Sequence, residues 1–227
     1  MKRILIVLIF GLLFFSCSSF VYYPNGANAP LLTEKDEMQL ALGIKGFGGD
    51  IRSAYALTNH FGVQANLNLL NIANTELGTE YRNGNYYAEA AAGFFTPVLP
   101  FLVIEAYAGG GLGRTFSHNL DNGSMRTTDY GKIYLQQDIG LRTRFVDFGI
   151  AVREAFVHAY MTKRDGVDQN VDEMDIFIEP ILFLSVGPEK FKINAQAGIS
   201  DGMLSWINSY APFIFSLGVE SRFSLKK

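Results

Sequence analysis

The sequence predicts an all-β fold: an antiparallel, up-and-down, transmembrane β-barrel of ten strands. Eight strands, or a soluble lipocalin-like barrel, are the alternatives. Three observations carry this reading. Apolar residues recur at every second position in one segment after another. In the cleanest, Phe61, Val63, Ala65, Leu67 and Leu69 alternate with Gly62, Gln64, Asn66 and Asn68, which is the period of a strand with one apolar and one polar face. Composition points the same way: 48% of the 227 residues are hydrophobic and 18% charged, with 23 Gly, 19 Phe and 11 Tyr. Abundant glycine and aromatics with no long apolar run after residue 16 suit short strands better than packed helices. The connections, finally, alternate between short and long, as they do in outer-membrane barrels with short periplasmic turns.

The chain opens with a basic start, Lys2 and Arg3, and an apolar core from Ile4 to Phe15. That core is too short for a membrane span and fits a secretory signal ending at residue 16. Phe14-Phe15-Ser16-Cys17 resembles the lipobox of bacterial lipoproteins. Cys17, the single cysteine, falls where lipidation requires it. Residues 17–37 contain Pro24, Gly26 and Pro30 and no period, so they read as an extended, lipidated tether. No acidic run follows Cys17, which places the lipid in the periplasmic leaflet.

The barrel is expected over residues 38–225. Met38–Ile44 alternates through Leu40, Leu42 and Ile44, glycines at 46, 48 and 49 make a turn, and Ile51–Thr58 returns. Thr58-Asn59-His60 turns into Phe61–Leu70. Residues 71–85 read as a long polar loop. In Tyr86–Phe95, Glu89 lies opposite Tyr86, Ala88, Ala90, Ala92 and Phe94. Beyond Pro97 and Pro100, Glu105 and Tyr107 oppose Leu102, Ile104 and Ala106. A second long loop is expected at 117–129. Then Gln136, Asp138 and Arg142 oppose Ile133, Leu135, Ile139 and Leu141. Phe148–Tyr160 starts cleanly and loses its pattern at Glu154, as at a bulge. A third long loop is expected at 162–173. The strand Asp175–Val186 carries Glu179 on its polar face, with Pro180 awkward for pairing. Asn194 and Gln196 share the polar face of 191–198. A loop at 200–209, with Trp206, precedes 213–223, whose polar face includes Glu220 and Arg222. An even strand count puts both termini on the short-turn side, the side to which the lipid on Cys17 also assigns the N-terminus.

The apolar-out alternation, the glycine-rich Ala106–Gly113 and Phe223 near the C-terminus resemble small, OmpA-type outer-membrane barrels of Gram-negative bacteria. Tyr22-Tyr23-Pro24, Pro30-Leu31-Leu32 and Ala56–Val63 (ALTNHFGV) resemble segments of outer-membrane lipoprotein barrels. The resemblance implies a lipid-anchored barrel in the outer membrane.

With apolar faces on lipid, the lumen collects Gln64, Asn66, Asn68, Glu89, Glu105, Asp138, Arg142, Glu179, Gln196, Glu220 and Arg222. A barrel this narrow is largely filled by side chains of that size, and its charges must be paired. A structural polar network is the expectation, with a narrow channel or small-ligand carrier as the alternative. The remote alternative is a hydrolase at the outer rim, using His118 with Asp121 and Asp129, or His158 with Asp165 and Asp168. No nucleotide loop, metal-ligand spacing or cofactor motif is present. Without Lys2 and Arg3 the chain has 17 basic against 22 acidic residues, a balance that does not favour nucleic acid. The expected partners are the lipid bilayer and a neighbouring outer-membrane protein. The expected role is non-enzymatic, structural or partner-binding.

Overall fold

Strand alternation fixes which way every side chain points, and here it points the apolar set outward. In a computed structural model of the chain, residues 21–225 are described except 46–47, 77–78, 170–171, 205 and 208. Ten long strands run β1 (Glu37–Lys45), β2 (Gly48–Ala56), β3 (Phe61–Glu76), β4 (Thr79–Leu99), β5 (Leu102–Asn119), β6 (Met125–Arg142), β7 (Val146–Arg164), β9 (Glu173–Val186), β10 (Phe191–Ile199) and β12 (Phe213–Ser224), with two short ones, β8 (Val167–Gln169) and β11 (Asp201–Gly202). Each long strand pairs antiparallel with its neighbours in sequence, and β1 pairs with β12 from Glu37–Ser224 to Ile44–Leu217. The sheet therefore closes into an all-β, ten-strand, up-and-down barrel with no free edge among the long strands.

The two rims differ. At one end lie the turns between β2 and β3, β4 and β5, β6 and β7, and β9 and β10, together with the start of β1 and the end of β12. At the other, three hairpins rise above the rest. The polar stretches 71–85, 117–129 and 162–173, expected as loops, are mostly paired strand: β3–β4 pairing continues to Glu76–Thr79, β5–β6 to His118–Met125 and β6–β7 to Arg126–Arg164. Backbone hydrogen bonds do not depend on an apolar face, so a ribbon beyond the apolar belt keeps its ladder after the alternating pattern has ended. The expected irregularity in β7 exists but lies past Glu154: the register with β6 shifts at Asp129/Tyr130, opposite Met161 and Ala159. Glu154 stays on the outer face and accepts a hydrogen bond from Gln137 Nε2 at 3.0 Å. Pro180 is paired opposite Val152 in β9.

Residues 21–36 do not extend away from the barrel as a tether. They run through its lumen. Val21, Tyr22, Tyr23, Ala27, Leu31 and Leu32 are all buried. Val21 donates its N–H to Ser209 O at 2.7 Å at the tall rim, and Asp36 donates to Ala56 O at 2.9 Å at the short-turn rim. The segment fills the space that the glycines of β5 help to create. A Cβ at Gly113 would strike the Tyr130 ring, and one at Gly111 would lie 2.5 Å from Tyr87 Oη and 2.7 Å from Glu89 Cβ. The glycine run thus seats the inward tyrosines against the plug. Gly113→Val is expected to force the buried Tyr130 ring out of place and cost about 1–3 kcal/mol, seen as a lower thermal unfolding midpoint in detergent. An unchanged midpoint would show that the ring has room to move.

Candidate functional site

A chain segment inside a closed barrel has no neighbouring strand to satisfy its peptide groups, so side chains must do so. The wall supplies them in tiers. Nearest the tall rim, Tyr22 donates its hydroxyl to Glu179 Oε1 at 2.7 Å and Lys45 Nζ donates to Pro24 O. At mid-height, Arg52 (3.1 Å) and Gln196 (2.8 Å) donate to Ala27 O. Gln64 (3.0 Å) and Gln136 (2.8 Å) donate to Asn28 O. The Asn28 side-chain amide donates to Ser53 O and Asn66 Oδ1, both at 2.8 Å. Lower down, one carboxylate takes two consecutive amides: Leu31 N–H to Glu105 Oε2 (3.0 Å) and Leu32 N–H to Glu105 Oε1 (2.9 Å). Arg142 Nη1 donates to Leu31 O at 2.8 Å.

Most of the wall charges are paired in groups, as their burial demands, whereas Glu105 and Asp138 form no ion pair among the described residues and rely on hydrogen bonds. Glu89 lies 3.2 Å from Lys132 and 3.7 Å from Arg153, and Arg153 reaches Glu179 at 3.8 Å. Lys132 also sits 4.6 Å from the Tyr87 ring centre and Arg153 4.7 Å from that of Tyr134, favourable for a cation shielded from water. Asp50 pairs with Arg52 at 2.7 Å. Near the short turns, Asp147 lies 2.6 Å from Lys192 and 2.8 Å from Arg222, which also reaches Glu220 at 3.3 Å, while Glu37 holds Arg142 at 2.6 Å.

All eleven residues read from sequence as lumenal face inward. Asn66 donates to Glu89 at 2.7 Å, Asn85 to Asn68 at 3.4 Å and Gln136 to Asp138 at 2.9 Å. Glu105 and Asp138 are cross-strand partners. They do not form one cluster: Glu220 and Arg222 belong to the short-turn group, and Glu89 and Glu179 to the upper one. Sequence reasoning missed Lys132, Arg153, Asp147, Asp50 and Arg52 and left Lys192 unused. Strand parity held the signal: Lys132 shares its face with Gln136, and Arg153 opposes Ile150 and Val152. Cys17 lies outside the described residues.

The proposed rim dyads separate. Asp129 pairs with Arg114, Asp121 accepts the Glu80 N–H and Asp168 pairs with Lys163. His158 instead meets Asp172 at 2.8 Å. No group of three metal-ligating residues forms among the described residues. In the 200–212 connection, Asp175 accepts the backbone N–H groups of Leu204, Trp206 and Ile207, so the backbone is pinned while the Trp206 ring is exposed.

A scan of protein-family models and a search of curated proteins found no match to the chain.

Glu105→Ala is expected to leave two buried amides of the plug without an acceptor. Unfolding in detergent should show a loss of about 2–5 kcal/mol, smaller for Glu105→Gln, which keeps one acceptor. Wild-type stability in both would remove Glu105 as the anchor. At the tall rim, Asp165 accepts the Met125 N–H (2.7 Å) and the Ser124 hydroxyl (3.2 Å). These bonds hold its carboxyl below the usual aspartate range. Stability from a lowered carboxylate is present above its unfolded value and lost as pH falls through the folded one. The Met125 amide resonance should therefore titrate below about pH 3.9 and stop titrating in Asp165→Asn. A midpoint above that value would contradict the assignment.

Proposed function

We propose that the protein is a non-enzymatic outer-membrane β-barrel, anchored a second time by lipid on Cys17, closed by its own N-terminal segment, with a structural or partner-binding role. The carrying observation is the inverted distribution of side chains. The wall interior is polar and paired, whereas the outer surface is a continuous apolar belt, including Ile44, Leu67, Phe94, Leu112, Ile133 and Ile193 at 52–66% exposure. Water does not tolerate a contiguous apolar surface of that extent; lipid does. The belt runs from Ile104 to Leu112 on β5 and from Ile133 to Leu141 on β6, matching the ~9–11 residues of a tilted transmembrane strand. Exposed aromatics border it: Phe101, Phe145, Phe148 and Phe191 toward the short turns, Tyr86 and Tyr160 toward the tall rim. Such girdles mark the two interfaces of membrane barrels.

The plug favours a closed barrel over the channel or carrier reading, because residues 21–36 occupy the path a solute would take. It also bears on sidedness. Val21 lies at the tall rim. With short turns at the periplasm, this end of the described chain faces outward, whereas the sequence reading put the lipid on Cys17 in the periplasmic leaflet.

The test separates tether from barrel. A Cys17→Ala variant should stay membrane-bound through alkaline carbonate extraction and need detergent to dissolve. Release as a soluble protein would overturn the membrane reading. Ile133→Arg should weaken insertion by about 2–4 kcal/mol, read as less protein folding into vesicles. The intact chain in planar bilayers should pass no steady current; an ion-selective current would restore the channel reading.

A further inference from the structure

Above the plug the barrel opens into a cup at the tall rim. Its floor is aromatic: Tyr87 and Tyr130 stack with ring centres 5.7 Å apart and planes 6° from parallel, and Tyr22 meets Tyr130 edge-on. The tier above is neutral and polar, with Thr128 and Thr162 hydroxyls 3.0 Å apart and Asn85 accepting the Tyr130 hydroxyl proton at 3.0 Å. One tier higher, Arg126 of β6 and Arg164 of β7 are direct cross-strand partners. Both line a cavity of about 580 Å³ together with Tyr81, Ser117, Asn119 and Gln169.

Two like charges placed opposite each other in a ladder destabilise it. Here neither arginine has an ion-pair partner among the described residues, and no described residue lining the cavity is acidic. The nearby carboxylates spend their hydrogen bonds elsewhere, Asp165 on the Met125 N–H and the Ser124 hydroxyl, Asp121 on the Glu80 N–H and Asp168 on Lys163; Asp165 feels the Arg164 charge without forming a salt bridge to it. Two arginines opposite each other on one face, neither in a salt bridge among the described residues, are suited to an anion between them, since the planar fork binds phosphate with two parallel hydrogen bonds. The remaining lining is hydroxyl and carboxamide, which donate to and accept from sugar hydroxyls, and the Tyr81 ring offers a flat face. The volume falls in the range of small-ligand sites, about 300–1,000 Å³.

We propose that this cup binds a small phosphorylated saccharide, with its phosphate held between Arg126 and Arg164 and its hydroxyls on the neutral wall. The site needs only the rim hairpins that line it, so it stands apart from the membrane reading. The ligand chemistry has two sources, a free sugar phosphate or the phosphorylated sugar head of a glycolipid.

The test uses the full chain in detergent, titrated with glucose 6-phosphate, with glucose as the neutral control. Glucose 6-phosphate should bind saturably and at least tenfold tighter than glucose, and added salt should weaken it. The Arg126→Gln/Arg164→Gln double variant, exposed at both positions and checked for folding by circular dichroism, should lose at least tenfold in affinity. Displacement of bound glucose 6-phosphate by lipopolysaccharide micelles identifies the glycolipid source; failure of the micelles to displace it identifies the free solute. Absence of saturable binding at millimolar glucose 6-phosphate, equal binding of glucose, or wild-type affinity in the double variant overturns the proposal.

Discussion

The structure depends on one requirement: between its two ends, where Val21, Tyr22 and Asp36 bond to barrel backbone, a segment threaded through a closed barrel must find its hydrogen bonds from side chains. A buried, unpaired peptide group costs about as much as a lost hydrogen bond, and residues 21–36 carry many. The wall's glutamines, asparagines, arginines and Glu105 meet this need by pointing at the plug backbone. This explains why the lumen is rich in carboxamides as well as charges. A carboxamide both donates and accepts, so Gln136 can give to Asn28 O while taking from Arg153 Nη2 at 2.8 Å. The plug is therefore part of the core, although it contributes almost no regular secondary structure.

The charges follow from the same geometry. Burying an isolated ion is costly, and a pair recovers that cost only with good geometry and further hydrogen bonds. Arg153 meets the condition by hydrogen-bonding to Gln136 Oε1 and Gly26 O, between Glu89 at 3.7 Å and Glu179 at 3.8 Å and beside the Tyr134 ring. Glu105 meets it differently, against two plug amides, even though Asp138 stands opposite on β6. The barrel wall and its filling are thus mutually dependent. Removing the segment would strand Glu105 and the carboxamides, and altering the wall would strand the segment.

Much of the wall was legible in the sequence because a period of two is a property of neighbouring residues. Phe61–Leu70, Tyr86–Phe95 and Phe213–Phe223 each announce a strand and its two faces without reference to anything distant. The tall hairpins were not legible, since residues such as Asn119 and Thr127 have no buried apolar face to alternate against, and their pairing is made by backbone. The plug was hidden for a related reason. Pro24, Gly26 and Pro30 signal an irregular extended chain, which is what residues 21–36 are, but nothing local says whether such a chain lies in water or inside a barrel. Tyr22, Tyr23, Leu31 and Leu32 were the available hint, being too apolar for a solvated linker. The paired role of Arg153 was equally remote, because Glu89 and Glu179 are reached only once the sheet has closed.

Closure also divides the molecule into parts with different freedom. Along the belt, outward residues are held to one apolar face and inward residues to the filled lumen, so both faces are constrained. Beyond Tyr86 and Asp129 the same ladder continues with neither constraint. Its inner face looks onto the cup and its outer face carries polar contacts such as Arg114 with Asp129. Side chains there are released from the packing of the lumen and from the apolar belt while the backbone is held by β5–β6 and β6–β7 pairing. A rigid ribbon carrying unconstrained polar side chains is the arrangement in which recognition can be built without disturbing the fold. The plug supplies what the ribbon alone lacks: by closing the barrel beneath Tyr87 and Tyr130, it turns an open tube end into a cup with a floor.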